Sequence, residues 1–386
     1  MGMDKTMNST VEPSKSTLDF QPDYIPELID LFLTSDIELT KMMIILYPKY
    51  ISPESLLDSL LDQLDKNQDE LWQLRVCNTI LLWADDHWED FNDKMIYTLK
   101  FLSDKVESDY VAEKLYNQSQ MKKKSSFSNW GYLSNTLYEE SKSVPKQIAY
   151  KKFNWLGDCA VNLIADQLTA IEWDLFSNIN SRDFLQQIWG KERIATRLTK
   201  SIEHFNFLSS LVKTLILIQD QIEYRAKVIL KFIEIAKCLR IRNNFNSLLA
   251  ILTGLSHSCI SRLTDTMKIV QKHTLNNDFV VLQRLMSSND TYLNYRHTLD
   301  LSNPPCIPYI GLFCSDVVKL TGHLTQIDDG VIDITHMMKI GDQLLRFKSF
   351  QIRNYSIEKD LQLIQLIVDS SVMTDEIAYE RSRSIS

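Results

Sequence analysis

Glycine and proline are scarce, nine of each in 386 residues. A sandwich or barrel needs turn residues at regular short intervals, so this supply excludes an all-β fold and favours helices joined by short turns. It also excludes a glycine-rich phosphate cradle: neither G-x-x-x-x-G-K-[ST] nor G-x-G-x-x-G occurs. H-E-x-x-H and G-x-S-x-G are missing as well. The six cysteines, Cys77, Cys159, Cys238, Cys259, Cys306 and Cys314, form no CxxC pair and no zinc-like spacing with histidine. They read as small buried hydrophobes of a reduced, cytoplasmic protein. No stretch approaches the ~20 apolar residues that span a bilayer; the best, LVKTLILI at 211–218, is short and contains Lys213. Basic charge is lacking too. A formal net charge of -8 is wrong for a chain whose main partner is a nucleic-acid backbone, and leaves a protein or a small molecule.

Hydrophobic residues make up 44% of the chain, which supports cores for about two domains. Residues 1–21 are polar and aperiodic and read as a disordered lead-in. The opening MGMDKT fits the N-myristoylation pattern through Gly2 and Thr6, or Met3 is the native start. A first helical block runs over 22–115. Within it Ser52-Pro53-Glu54 followed by LLDSLLDQL predicts an N-cap, a proline at the first helical position and an amphipathic helix. Residues 116–152 are rich in Ser, Lys and Gln and read as a linker; its KKKSS suits either an acidic membrane surface or a solvated loop. A second helical block covers 153–371. There Ala226, Ile229, Phe232, Ile233, Ala236 and Leu239 recur at steps of three and four and predict one buried stripe. The tail 372–386, acidic and then Ser/Arg-rich, reads as a disordered end or an export signal of a bacterial effector.

Side-chain chemistry is thin. His204, His257 and His297 pair with no second ligand at i, i+4, and Asp85-Asp86 and Asp328-Asp329 read as helix-end or loop acids. No catalytic constellation emerges, and no metal or cofactor is expected.

Four phrases change the reading: ADQLTAIEWDLF at 165–176, RNNFNSLLAILTGLSHSCISRL at 242–263, NYRHTLDLSNPPCIPYIGLF at 294–313 and DDGVIDITHMMKIGDQL at 328–344. In order and separation they resemble the catalytic domain of Ras-family guanine-nucleotide exchange factors, over roughly 155–371. The first block, with Arg75, Asn78, Trp83, Trp88 and Phe91, is similar to the Ras exchanger motif that precedes that domain. The resemblance implies an all-α fold of two helical modules, an exchanger-motif bundle packed on a larger catalytic domain with a protruding helical hairpin.

The resemblance also implies a function without covalent chemistry. The hairpin inserts beside the nucleotide of a Ras-subfamily GTPase, displaces its first switch and favours the nucleotide-free form. Tyr309 and Tyr292 match aromatic contacts to the second switch, and Ser256 and His257 occupy a turn that reaches the same region. Asp316, Val318, Lys319 and Leu320 fall on the first hairpin arm, with Val318 towards the magnesium site, and the return arm spans about 332–347. Pro304, Pro305 and Pro308 stop the preceding helix and aim this arm. Two departures stand out. Ser256 replaces a family asparagine, and Gly322 lies where the family has an acidic residue at the hairpin tip, the nearest carboxylates being Asp328 and Asp329. They keep open a second reading, a non-catalytic GTPase-binding scaffold with the same fold. The expected location is cytoplasmic, with recruitment to membranes or export into a host cytosol left open.

Overall fold

Ser52 accepts a hydrogen bond from the Ser55 amide, and Pro53 takes the first position of a helix that runs to Lys66. This is the start that the local sequence predicts. The computed structural model describes residues 25–67, 69–104, 108–120, 154–185, 197–322 and 334–386. Among them the chain is helical, and the sheet-like pairing is a single parallel bridge between Asn244 and Ile307. The lead-in 1–21, the KKKSS stretch, and His323, Asp328 and Asp329 at the hairpin tip lie outside the described residues.

The chain divides into two compact units. The first contains helices α1 (Ile25–Thr34), α2 (Ile37–Leu46), α3 (Pro53–Lys66), α4 (Glu70–Asp86), α5 (Asp93–Ser103) and α6 (Asp109–Ser119), together with residues up to Gly341 of the return arm. Its core holds an aromatic cluster in which Trp83 meets Tyr47 and Phe91, and Phe91 stacks on Trp88. The indole N–H of Trp83 donates to Asp90 at 2.8 Å, which satisfies a polar atom that burial would otherwise orphan. Arg75 donates to the Leu33 carbonyl, while Asn78 stays exposed. Gly341 is matched to Met42: a Cβ at Gly341 would lie 2.6 Å from the Met42 side chain, so any larger residue would force α2 to yield. Helix α6 extends through Ser119, four residues into the segment expected to be linker, because Leu115 is fully buried and Gln118 reaches Asp85.

The second unit contains α7 (Asn154–Asp158), α8 (Val161–Phe176), α9 (Arg197–Leu217), α10 (Ile222–Ile241), α11 (Phe245–Ser256), α12 (Ser258–Ser261), α13 (Thr264–Lys272), α14 (Leu275–Leu285), α15 (Leu293–Asp300) and α16 (Ile310–Thr321). The later part of α17 (Ile334–Ser349), α18 (Leu361–Val368) and α19 (Asp375–Ser384) complete it. Helices α8, α9, α10 and α11 pack on one another around Leu168, Leu211, Phe232 and Ile251. The predicted stripe of α10 is buried throughout, from Ala226 to Leu239. Phe347 gathers Phe176, Phe184 and Phe313 around it and so fixes the root of the hairpin arms on this core.

The C-terminal segment differs from the irregular end that its charge pattern suggests. Thr374 caps α19, whose Ala378 and Ser382 are fully buried at i and i+4. Asp375 pairs with Lys213 at 2.5 Å, Ser382 donates to the Cys259 carbonyl, and Arg381 donates to the Leu217 carbonyl. Two small buried residues are too weak a hydrophobic signal for periodicity to detect.

Candidate functional site: a protein-docking face beside the first hairpin arm

The proline-rich loop works by what it removes and what it pairs. Helix α15 ends at Asp300, and the chain passes through Pro304 and Pro305, joined by a cis peptide bond, before α16 begins at Ile310. Midway, Ile307 donates to the Asn243 carbonyl and accepts from the Phe245 amide, at 3.0 and 2.9 Å. The loop is thereby tied to the turn that opens α11. The first amides of α16 have no partner within the helix, so they need outside acceptors. The Tyr295 hydroxyl accepts from Tyr309 N–H at 2.7 Å, and Asn246 Oδ1 accepts from Ile310 N–H at 3.2 Å.

Tyr309 is half-buried, its ring 5.7 Å from that of Phe205 and 5.8 Å from that of Tyr292. Burial pushes its phenol up to about 12, reinforced by a side-chain hydrogen bond with Tyr292. The ring folds back over Gly311, where a Cβ would come within 2.5 Å of the phenol oxygen. Tyr292 ends three successive non-glycine residues in the left-handed region, with φ of 50° at Asp290, 55° at Thr291 and 64° at Tyr292. Such a run costs on the order of 1–2 kcal/mol per residue and persists only where neighbours hold it. Arg296 is one holder: its Nε donates to the Thr291 carbonyl at 2.9 Å, and its other end donates to Asp316 on α16 at 2.8 Å.

Helix α16 buries Ile310, Leu312, Phe313, Cys314, Val317 and Thr321. Val318 and Lys319 are exposed, Leu320 is half-buried, and Gly322 is exposed at the helix end. Val318 is 38% exposed, the large apolar side chain of this helix that leaves the most surface to solvent. Ser256 is exposed at the end of α11 and accepts from Gln283 of α14 at 3.0 Å. Asn294 of α15 donates to the Arg284 carbonyl, so Ser256 and Tyr292 are joined through α14. His257 caps α12 with its ring nitrogen facing the Cys259 amide; burial, then the nearby Lys213, lowers its pKa.

Of the residues picked out from sequence, Tyr292 and Tyr309 therefore touch, and Asp316 is linked to their support through an ion pair. Ser256 is hydrogen-bonded to Gln283 of α14, the helix that Asn294 also contacts, and His257 belongs to the neighbouring turn. Phe205, Tyr295, Arg296 and Asn246 escaped the sequence reading. Asn246 lies within the phrase at 242–263, and Tyr295 and Arg296 within the phrase at 294–313, whereas Phe205 lies in none of the four phrases. Among the described residues no group of three or more His, Cys, Asp or Glu forms a metal site, and no helix is long and apolar enough to cross a membrane.

Together these features define an all-helical protein with an aromatic pair, Tyr292 and Tyr309, at the start of a helix whose Val318 is partly open to solvent. Residues 163–351 match the RasGEF domain, so the chain carries the domain of Ras-family guanine-nucleotide exchange factors. It is 30% identical over 386 aligned residues to Ras guanine nucleotide exchange factor J of Dictyostelium discoideum, covering 90% of this chain and 45% of that protein. Ras guanine nucleotide exchange factor I of the same organism is 30% identical, with 90% and 44% covered. Ras-specific guanine nucleotide-releasing factor 1 of Rattus norvegicus is 34% identical over 227 residues, 58% of this chain and 18% of that protein. The chain thus spans less than half the length of these relatives.

Proposed function

We propose that this protein promotes GDP release from a Ras-subfamily small GTPase, acting by non-covalent displacement of the nucleotide. The hairpin arm α16 inserts beside the first switch, and the Tyr292–Tyr309 pair, with Ser256 and His257, docks the second. The observation that carries this reading is the Tyr292–Tyr309 aromatic pair at the base of α16, within the segment that matches the RasGEF domain. Exchange is then a linkage effect. A factor that binds nucleotide-free GTPase more tightly weakens nucleotide binding by the same factor, each tenfold needing about 1.4 kcal/mol of differential contact. Val318 and Lys319, exposed on the inserting arm, supply groups for that difference. The first unit acts as a Ras exchanger motif that braces the return arm; the fit of Gly341 against Met42 supports this part of the reading.

The test is release of a fluorescent guanine nucleotide from a panel of Ras, Rap, Ral and related GTPases. Acceleration on at least one member, together with preferential capture of its nucleotide-free form, is expected. A folded protein that accelerates none of them overturns the proposal, and capture without acceleration or nucleotide preference identifies a scaffold instead.

A further inference from the structure

Glu172 is a carboxylate in the middle of α8 with no accessible surface. Burying such a group is costly unless every lone pair is engaged. Its partners come from two other helices: Ser201 of α9 donates to Oε1 at 3.2 Å, Asn246 of α11 donates to Oε1 at 2.9 Å, and Ser247 donates to Oε2 at 3.0 Å. Among the described residues no basic side chain joins the cluster, and three neutral donors meet the carboxyl group. An interior that only needed filling would be served better by an apolar residue of the same volume.

The consequence lies one bond further on. An asparagine amide has one end that donates and one that accepts, and its orientation follows from its neighbours. Glu172 Oε1 can only accept from Asn246, whether the carboxyl group is ionised or carries its proton on Oε2. The Asn246 NH2 must therefore turn towards Glu172, and its Oδ1 is left facing the Ile310 amide at 3.2 Å. A flipped Asn246 would set two donors against each other at the first turn of α16. We infer that Glu172 is a positioning residue for nucleotide exchange: by fixing the Asn246 amide it anchors the start of the inserting arm and the adjacent Tyr309. This rests on the proposed exchange activity for its functional consequence, although not for the geometry.

Two readouts on the full chain separate the two questions. The first is hydrogen exchange at the Ile310 and Tyr309 amides by NMR, which needs no GTPase. Glu172→Leu should remove protection at Ile310 while interior amides of α10 stay protected, and Glu172→Gln, which retains an acceptor oxygen, should restore it. Asn246→Ala should expose Ile310 equally and serves if the Leu variant does not fold. The second is nucleotide release from the responsive GTPase of the panel, where Glu172→Leu and Asn246→Ala should each lose about tenfold, the worth of one such bond, and Glu172→Gln should recover most of it. Unchanged Ile310 protection in Asn246→Ala, or a Gln variant as impaired as the Leu variant, overturns the inference. If no GTPase responds to the wild type, the exchange proposal fails, and the amide measurement still decides whether Glu172 anchors α16.

Discussion

Arg296 bridges two structures that sequence would not connect: its guanidinium donates to Asp316 of α16 at 2.8 Å and to the Thr291 carbonyl within the left-handed stretch that ends at Tyr292. Asp316 was expected to meet the GTPase, and its carboxylate is already engaged inside the chain, with its side chain 18% exposed. The pair therefore ties the stretch that ends at Tyr292 to the helix that follows Tyr309. Arg296→Gln and Asp316→Asn should each slow nucleotide release, and the double variant should be no slower than the worse single one. A double-mutant cycle on release rates should give a coupling of about 1 kcal/mol, as partly exposed pairs in fixed geometry do. Additive effects would mean that Asp316 acts directly on the partner.

Gly311 sits under the Tyr309 ring, where a Cβ would approach the phenol oxygen to 2.5 Å. Gly311→Ala gains helix propensity, by roughly 0.5–1 kcal/mol. It also pushes the ring off its seat between Phe205 and Tyr292. The expected outcome is unusual: an unchanged or slightly raised melting temperature with weakened GTPase binding. Calorimetry together with a binding titration checks both halves.

These two cases show where sequence reasoning reached and where it stopped. Helix starts with strong local chemistry were legible, as at Ser52-Pro53, and so was the α10 stripe, whose period alone specifies a buried face. The stop before α16 was legible because proline acts on its own backbone. The role of Glu172 was not, although it lies within the ADQLTAIEWDLF phrase, because its partners lie 29 to 75 positions away along the chain. Three left-handed residues without a glycine were invisible for the same reason. Arg296 holds them by a tertiary contact that no local propensity encodes.

Glu172 also gives the fold a pH signature. Burial raises its pKa from 4.5 to about 7, against the lowering effect of its three hydrogen bonds. The folded state therefore holds a proton that the unfolded state releases, and stability falls as pH rises from about 4.5 to about 7, then levels off. The drop is of order 3 kcal/mol for this group alone. Urea unfolding of wild type and Glu172→Gln across pH 4.5–7.5 isolates it. The wild type should lose stability relative to the Gln variant through this window, and parallel curves would show that Glu172 does not titrate there.

The C-terminal helix makes a separate prediction. Lys213 is almost fully buried and is paired with Asp375, which is mostly exposed. The hydrogen bond from Lys213 holds the Asp375 carboxyl below its usual range, so its contribution is present at neutral pH and is lost as pH falls through that lowered value. Asp375→Asn should cost about 1 kcal/mol, modest because solvent screens the exposed partner. Ser382→Leu should cost more, since Ser382 is fully buried and an added side chain would lift α19 from the Cys259 carbonyl. Shifts of the urea midpoint in that order support a docked helix; no shift in either would mean that α19 contributes nothing to the fold.

Tyr309→Ala and Val318→Asp both remove groups from the proposed GTPase-binding surface, yet the structure separates them. Tyr309 is also part of the Phe205–Tyr292 cluster, so truncating it opens a space and should destabilise the protein by about 2 kcal/mol besides weakening binding. Val318 is 38% exposed on α16, so an aspartate there can keep its carboxylate in water in the free protein. Val318→Asp should therefore leave the melting temperature within about 1 °C of wild type, as exposed substitutions do. It should nonetheless cut nucleotide release by at least about tenfold, because it forces a charge into an apolar contact. Loss of stability in this variant would mean that Val318 is covered within the chain, and full activity would mean that the arm does not meet the GTPase through this face.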